Sequence, residues 1–436
     1  MKESFLHFMW QYGLFNTQEL STTSGQPVQI ENRGWLNKNS GPDFLNARIR
    51  IGEQNWAGQV EIHIHSSEWL KHGHQHDAAY DNTILHVVFQ NDVEIRRRDG
   101  TLIPCLELKN RIPAGYFRRW QELDQSLSGV PCSNRFHEVD ESAKLCMRHR
   151  ALAERIIGKS MAIGQIATET IYHWDEILHR LIARYLGFKV NSDAMEQLAV
   201  VAPLKLLRHY AGNQKQLEAI LFGQAGFLRL GHRDKYVKEL FQEYDFIAAK
   251  HGLIPLNPVM WKFSRLRPAN FPTIRIAQLA ALLNRRIDFF DDLLKTQTLT
   301  ELKQLFYCRA SGYWDNRFSF GEKGLKRSKN LGQESIQGLI VNAVIPVLVA
   351  YANYRGDENL KDRAIDFLNE LPPENNLITR FWEKMGMPNA CAYDSQSLIG
   401  LKLLYCDKKR CLDCSIGQQL LQTEEKLPVT NCVSLG

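Results

Sequence analysis

The spacing of hydrophobic positions changes several times along the chain. From Phe5 to Leu14 apolar side chains recur at helical intervals, at Phe5, Phe8, Met9 and Tyr12, which predicts a first helix ending near Gly13. The period then falls to two. Residues 27–33 (PVQIENR), 44–51 (FLNARIRI) and 56–65 (WAGQVEIHIH) are β-rich and largely alternating, with turn signals between them, which predicts three successive strands. Ser66 or Ser67 can cap a short helix through Glu68, Trp69 and Leu70. Residues 83–90 (TILHVVFQ) form a strongly apolar run, as expected of a strand buried on both faces. The predicted order is αβββαβ, and a hairpin over 93–98 and 102–108, turning at Asp99-Gly100, extends the sheet.

Beyond Pro113 the period is helical for most of the chain, over 143–167, 174–186, 195–210, 276–296 and 337–351, with no repeat of fixed length. The expected fold class is α+β. A sheet-bearing domain is expected over 1–112, a mainly α-helical domain over 113–375, and a C-terminal helical segment with a cysteine cluster over 376–436. The longest apolar run, 339–352, is interrupted by Asn342 and Pro346 and falls short of the roughly 20 residues that span a bilayer, so it reads as a buried helix.

Composition adds limits. With 44% hydrophobic and 23% charged residues the chain has the balance of a globular protein and no signature of disorder. The opening Met1-Lys2-Glu3-Ser4 leads into an amphipathic stretch rather than a signal-peptide core, so the expectation is a cytoplasmic protein with no membrane partner. A net charge of +6 permits a polyanionic partner without requiring one. Nucleic acid, DNA or RNA, is the expected partner, with Arg96-Arg97-Arg98 and Arg118-Arg119-Trp120 as the local basic runs.

Acidic residues locate the chemistry. Side chains alternate along a strand, so Glu61, His63 and His65 share one face of the third strand while Val60, Ile62 and Ile64 take the other. The turn at 52–55 folds that strand back on its predecessor and returns Glu61 toward Asp43, while Glu3 lies on the first helix. Converging carboxylates suit Mg²⁺ or Mn²⁺, hard ions that activate water against a phosphodiester.

Pro42-Asp43, seventeen intervening residues and Glu61-Ile62-His63, set in the αβββαβ order, resemble the PD-(D/E)XK nuclease superfamily over about a quarter of the chain. The resemblance implies a restriction-endonuclease-like core that cleaves nucleic acid. It assigns metal binding to Asp43 and Glu61, a supporting role to Glu3, and to His63 the position where the superfamily carries lysine. An imidazole there can act as base or ligand but is not a fixed cation near pH 7. Lys71, on the following helix, is the candidate to replace that charge. The alternative is a non-catalytic nucleic-acid-binding or scaffold protein on a degenerate nuclease fold.

Six of the fourteen histidines lie between His63 and His86, most densely in His72-Gly73-His74-Gln75-His76-Asp77. This run superficially resembles the HxHxDH loop of metallo-β-lactamase-like hydrolases, although His76 and Asp77 stand in reversed order. It gives a second enzymatic reading, a zinc-dependent hydrolase of a small molecule that uses the cluster from His63 to His76. His86, between Leu85 and Val87, reads as a core histidine.

Of nine cysteines, five lie from Cys391 onward. Cys406, Cys411 and Cys414 form a C-x4-C-x2-C pattern, with Cys391 and Cys432 as candidate fourth ligands. Thiolates so spaced bind Zn²⁺ or hold an iron–sulfur cluster. Over nearly the whole chain, Gly41-Pro42-Asp43-Phe44, Val60-Glu61-Ile62-His63, Ile84-Leu85-His86-Val87-Val88, Arg267-Pro268-Ala269-Asn270-Phe271-Pro272 and the cysteine segment resemble an uncharacterised bacterial family, a domain of unknown function. That resemblance implies no activity.

Overall fold

The computed structural model describes residues 1–37, 39–228, 233–321 and 323–422. The first helical stretch becomes α1 (Glu3–Tyr12), which buries Phe5, Leu6, Phe8, Met9 and Trp10. It stops at Gly13, whose φ of 64° is the left-handed conformation in which its N–H reaches back to the Met9 and Trp10 carbonyls.

Six strands follow: β1 (Val28–Asn32), β2 (Trp35–Leu36), β3 (Phe44–Ile51), β4 (Gln54–His65), β5 (Thr83–Gln90) and β6 (Cys105–Glu107). They form one mixed sheet of order β1-β3-β4-β5-β6, with β2 also paired to β3. Strands β1, β2 and β4 run antiparallel to β3, whereas β5 is parallel to β4 and β6 to β5. A parallel neighbour needs a crossover. Residues 66–82 supply it, through the short helix α2 (Glu68–Lys71) and two 3-10 turns.

Alternation sorts the sheet's two faces. Phe44, Ala47, Ile49, Ile51, Val60 and Ile62 join Leu6 and Trp10 of α1 in one apolar cluster. Glu61, His63 and His86 are buried outside that cluster, and the rings of Trp69 and His86 lie 5.4 Å apart. Burying each large apolar side chain contributes roughly 1.5–3 kcal/mol. A one-residue slip of β4 would exchange several of these for a carboxylate and an imidazole, so the core holds the register of the chemical face.

Three expectations about elements require correction. The hairpin predicted over 93–108 is reduced to a single antiparallel bridge between Arg96 and Leu102. Pro104 has no N–H with which to continue the ladder, and the next residues leave the hairpin as β6 to pair in parallel with β5. The helix predicted over 195–210 divides into Ser192–Val201 and Leu204–Arg208 at Pro203, and that predicted over 276–296 divides into Pro272–Arg285 and Phe289–Lys295.

By compactness the chain forms two units, Met1–His149 with the described residues from Leu401 onward, and Arg150–Gly400. These divisions differ from 112/113 and 375/376 because flanking segments pack with the sheet-bearing unit. Helix α3 (Ala114–Gln125) sets Phe117 and Trp120 against Phe5, with ring centroids 5.8 and 5.1 Å apart. Arg119 Nε donates to the Leu421 carbonyl at 2.9 Å, tying α3 to the C-terminal helix Ser415–Gln422. The second unit is helical. Among the described residues its run Gln333–Arg355 is the one helix long and apolar enough to cross a membrane, and 67% of its apolar window is buried within the protein.

Candidate metal centre

A β-bulge sets the position of Asp43. Ala47 pairs with Gly58, but beyond a register shift Phe44 pairs with Val60. Asn46, inside the bulge, takes φ 59°, a left-handed conformation that asparagine tolerates better than most residues. Extended without the bulge, the ladder would put Asp43 across from Ile62. With it, Asp43 lies across from Glu61. The Asp43 N–H donates to Glu61 Oε2 and the Ile62 N–H donates to Asp43 Oδ2, both at 3.0 Å.

Helix α1 and the crossover complete the surroundings. His7, one helical turn after Glu3, places Nε2 3.1 Å from Asp43 Oδ2. Glu61 Oε1 lies 3.3 Å from His74 Nε2 and 3.7 Å from His63 Nε2. One ring nitrogen each of His63, His72 and His74 lie within 4.8 Å of one another, the separation needed to share an ion. Their rings are supported from behind: His74 stacks on Tyr80 at 3.9 Å, and Trp69 meets both His74 and His86 edgewise or tilted at 5.4 Å.

His63 Nδ1 and His86 Nε2 share a hydrogen bond of 2.8 Å, and His63 Nε2 lies 3.1 Å from His72 Nδ1. A ligating histidine is commonly oriented through its second nitrogen, and His86 is placed to orient His63 in that way. Burial, then the neighbouring His86, His74 and His72 rings, pushes the His63 pKa down to about 2. Burial and then His74 push His86 down to about 3. Both imidazoles are therefore neutral at ordinary pH, the form that binds metal. Burial raises the Glu61 pKa despite its contact with His74. For His7, burial lowers the pKa, but the close contact and charge of Asp43, with Glu3 and Glu61, outweigh it and the net direction is upward.

The donor set fits a divalent cation. Glu61 is 5% exposed and His63 1%, yet Glu61 has no lysine or arginine within ion-pair distance among the described residues. His74 Nε2, although close to Glu61, lacks an aligned hydrogen bond. A buried carboxylate beside the neutral His63 imidazole is poorly compensated until a cation joins them.

Other predicted residues stand apart. Glu3 affects the centre through charge; its pKa is raised by burial, then by Glu68 and, further down, Asp43. Lys71 ends α2, exposed, and its ammonium makes no ion pair among the described residues. His65 and His76 lie outside the three-histidine group. The run Arg96–Arg98 serves structure: Arg97 donates to the Thr83 carbonyl, Arg96 to that of Gly100, and Arg98 pairs with Asp81. His7 was not singled out from the sequence, although its position four residues after Glu3 puts both on one side of α1.

Cys132, which the sequence pattern did not suggest, belongs to the same unit as Cys406, Cys411 and Cys414, and their thiols act on one another electrostatically, although no three of the four sulfurs meet the 4.8 Å separation that the three histidines do. Burial, followed by Cys414 and Cys411, pushes the Cys132 thiol up to about 12. Burial, then Cys132, Cys414 and Cys411, raises Cys406 still further. Cys391 belongs to the second unit, at the start of Ala392–Gly400, and Cys432 lies outside the described residues.

Fold and site thus define an α+β protein whose mixed sheet carries a buried carboxylate–histidine cluster. The chain belongs to the family described as protein of unknown function DUF2851, whose model matches residues 3–377. No curated protein and no solved structure matches it.

Proposed function

We propose that the sheet-bearing unit is a metal-dependent phosphodiester hydrolase acting on nucleic acid. The observation that carries this reading is the apposition of Asp43 and Glu61 across the β3–β4 bulge, with His63 two residues further on. The order α1, β1, β3, β4, α2, β5 supports a restriction-endonuclease-like core. Asp43, Glu61 and His63, with His72 and His74 from the crossover, would hold Mn²⁺ or Mg²⁺. The imidazoles favour Mn²⁺, the more nitrogen-tolerant of the two. Such an ion supplies charge for the phosphate and a water of lowered pKa.

The chain's own residues account for the remaining requirements. His63, neutral and oriented by His86, replaces the superfamily's lysine as a ligand rather than as a cation. Positive charge comes from elsewhere. A cavity of about 300 Å³ is lined by His7 together with Lys2, Lys408, Lys409 and Arg410, cations suited to a phosphate backbone, and by Asp124 and Asp413, which pair with Lys2 and Arg410. His7, with its raised pKa, stands between that cavity and Asp43 as a proton donor to a leaving oxygen.

Cleavage assays on single-stranded, duplex and branched DNA and RNA test this reading. Mn²⁺-dependent cleavage that is lost in Asp43→Ala and Glu61→Ala is the expected result. Cleavage of none of these substrates, or cleavage that persists in both variants, contradicts it; binding without cleavage moves the assignment to a scaffold. The proximity of His63, His72 and His74 supports a second reading, a zinc hydrolase of small molecules. In that case zinc restores hydrolysis of simple esters or lactams while nucleic acid is neither bound nor cut.

A further inference from the structure

We propose that Cys132, Cys406, Cys411 and Cys414 form a four-thiolate metal site that fastens the end of the chain to the sheet-bearing unit. The inference stands independently of the hydrolase reading. It rests on how segments far apart in sequence are folded around these sulfurs. Cys132, Cys406 and Cys414 are buried. Cys406 closes the turn Leu401–Cys406, and its carbonyl accepts the Lys409 N–H at 3.1 Å while Lys409 takes φ 50°, so the chain reverses sharply between Cys406 and Cys411. The 3-10 turn Cys411–Asp413 brings Cys411 and Cys414 together, with the Cys414 N–H donating to the Cys411 carbonyl at 3.3 Å. Tight turns between closely spaced cysteines are what joint coordination requires.

The fourth position comes from the other side. Cys132 directly precedes the 3-10 helix Ser133–Glu138, which packs against Ser415–Gln422. Gly417 in that C-terminal helix permits the approach: a Cβ there would lie 2.2 Å from the Cys411 carbonyl oxygen. The charges of Cys132, Cys411 and Cys414 all bear on the Cys406 thiol, and none of the four is in a disulfide. Four protein thiolates leave no open coordination position, which marks a structural site rather than a catalytic one. On binding, the thiols release their protons to solvent and the metal takes four sulfur ligands. Either a single Zn²⁺ or an iron–sulfur cluster satisfies this chemistry.

The site also has a consequence for its surroundings. Lys408, Lys409 and Arg410 lie between the second and third of these cysteines in chain order and line the cavity that His7 borders. Metal binding therefore holds a basic loop in place.

The full chain, purified without oxygen or chelator, is to be analysed for zinc, iron and acid-labile sulfide and by X-ray absorption at the edge of the metal found. A stoichiometric metal with a sulfur-only shell at about 2.3 Å is expected; zinc and iron–sulfur outcomes both support the site. Cys132→Ser and Cys411→Ser should each lower metal content at least tenfold, while Cys391→Ser and the double variant Asp43→Ala/Glu61→Ala retain it. Where Cys132→Ser fails to fold, Cys132→His, which can still ligate, should replace one sulfur by nitrogen. Protein free of metal, a shell of nitrogen and oxygen, or full sulfur-bound metal in folded Cys132→Ser overturns the proposal. Loss of metal in Cys391→Ser but not in Cys132→Ser does so as well.

Discussion

At position 46 the backbone of β3 is left-handed, and the cost of that conformation, roughly 1–2 kcal/mol for an ordinary L-residue, gives Asn46 a measurable role. Asn46→Gly should fold with near-native stability. Asn46→Val, which disfavours the bulge, should lose about 1–2 kcal/mol in urea denaturation and weaken metal binding by returning Asp43 toward Ile62. Equal stability and equal metal affinity in both variants would show that the bulge does not govern the site. At this scale the sequence was informative about identity and weak about geometry. Asp43 and Glu61 were legible because β-alternation and a hairpin turn bring them together. The bulge was not legible, since many asparagines never adopt a left-handed conformation. His72 and His74 were visible as a dense run, but only the crossover's turns bring them to Glu61.

Among the elements, the interrupted helix of the second unit yields a test independent of the metal centre. Lys159 of Glu141–Glu169 donates to Asn342 Oδ1 at 2.9 Å and to Gln396 Oε1 at 3.3 Å, Asn342 lying in the π-helical turn Ile340–Val344. Burial, then the charge of Arg155, lowers the Lys159 pKa from 10.5 to about 7. Between these values the unfolded chain binds the extra proton, so stability contributed through Lys159 rises with pH from about 7 toward 10.5. The stability gap between wild type and Lys159→Met should therefore move in the wild type's favour from pH 7 to pH 9.5 in urea titrations. A pH-independent gap would show that Lys159 is not desolvated. Strands with alternating or continuous apolar runs were read closely from sequence, as at Phe44–Ile51 and Thr83–Gln90. Two failures came where proline ended a ladder or helix, at Pro104 and Pro203, because periodicity alone carries across a missing N–H; a third, the break at 286–288, has no proline to mark it.

For the whole molecule, the return of the chain to its first unit is the feature periodicity could not reveal, because no local pattern relates Cys132 to Cys406. The fragment 150–400 has its own core and should unfold cooperatively when expressed alone. The fragment 1–149 lacks the helix that receives Arg119. It should be less stable than a version rejoined to residues 401–436 through a short linker, as circular dichroism melts would register. Nucleic-acid affinity of the full chain should fall steeply with salt as lysine–phosphate contacts release counterions. Charge reversal at Lys408 and Lys409 should reduce that slope, whereas an unchanged slope would place the contact elsewhere. If Glu61 and the histidines around it hold a divalent ion beside Asp43, crystals soaked in Mn²⁺ should give an anomalous-difference peak at coordination distance from Glu61 Oε1 and from at least one of His63, His72 and His74, and Glu61→Ala crystals should lack it. Density showing Glu61 and the three imidazoles with no ion between them, at saturating Mn²⁺ and neutral pH, would rule the metal centre out.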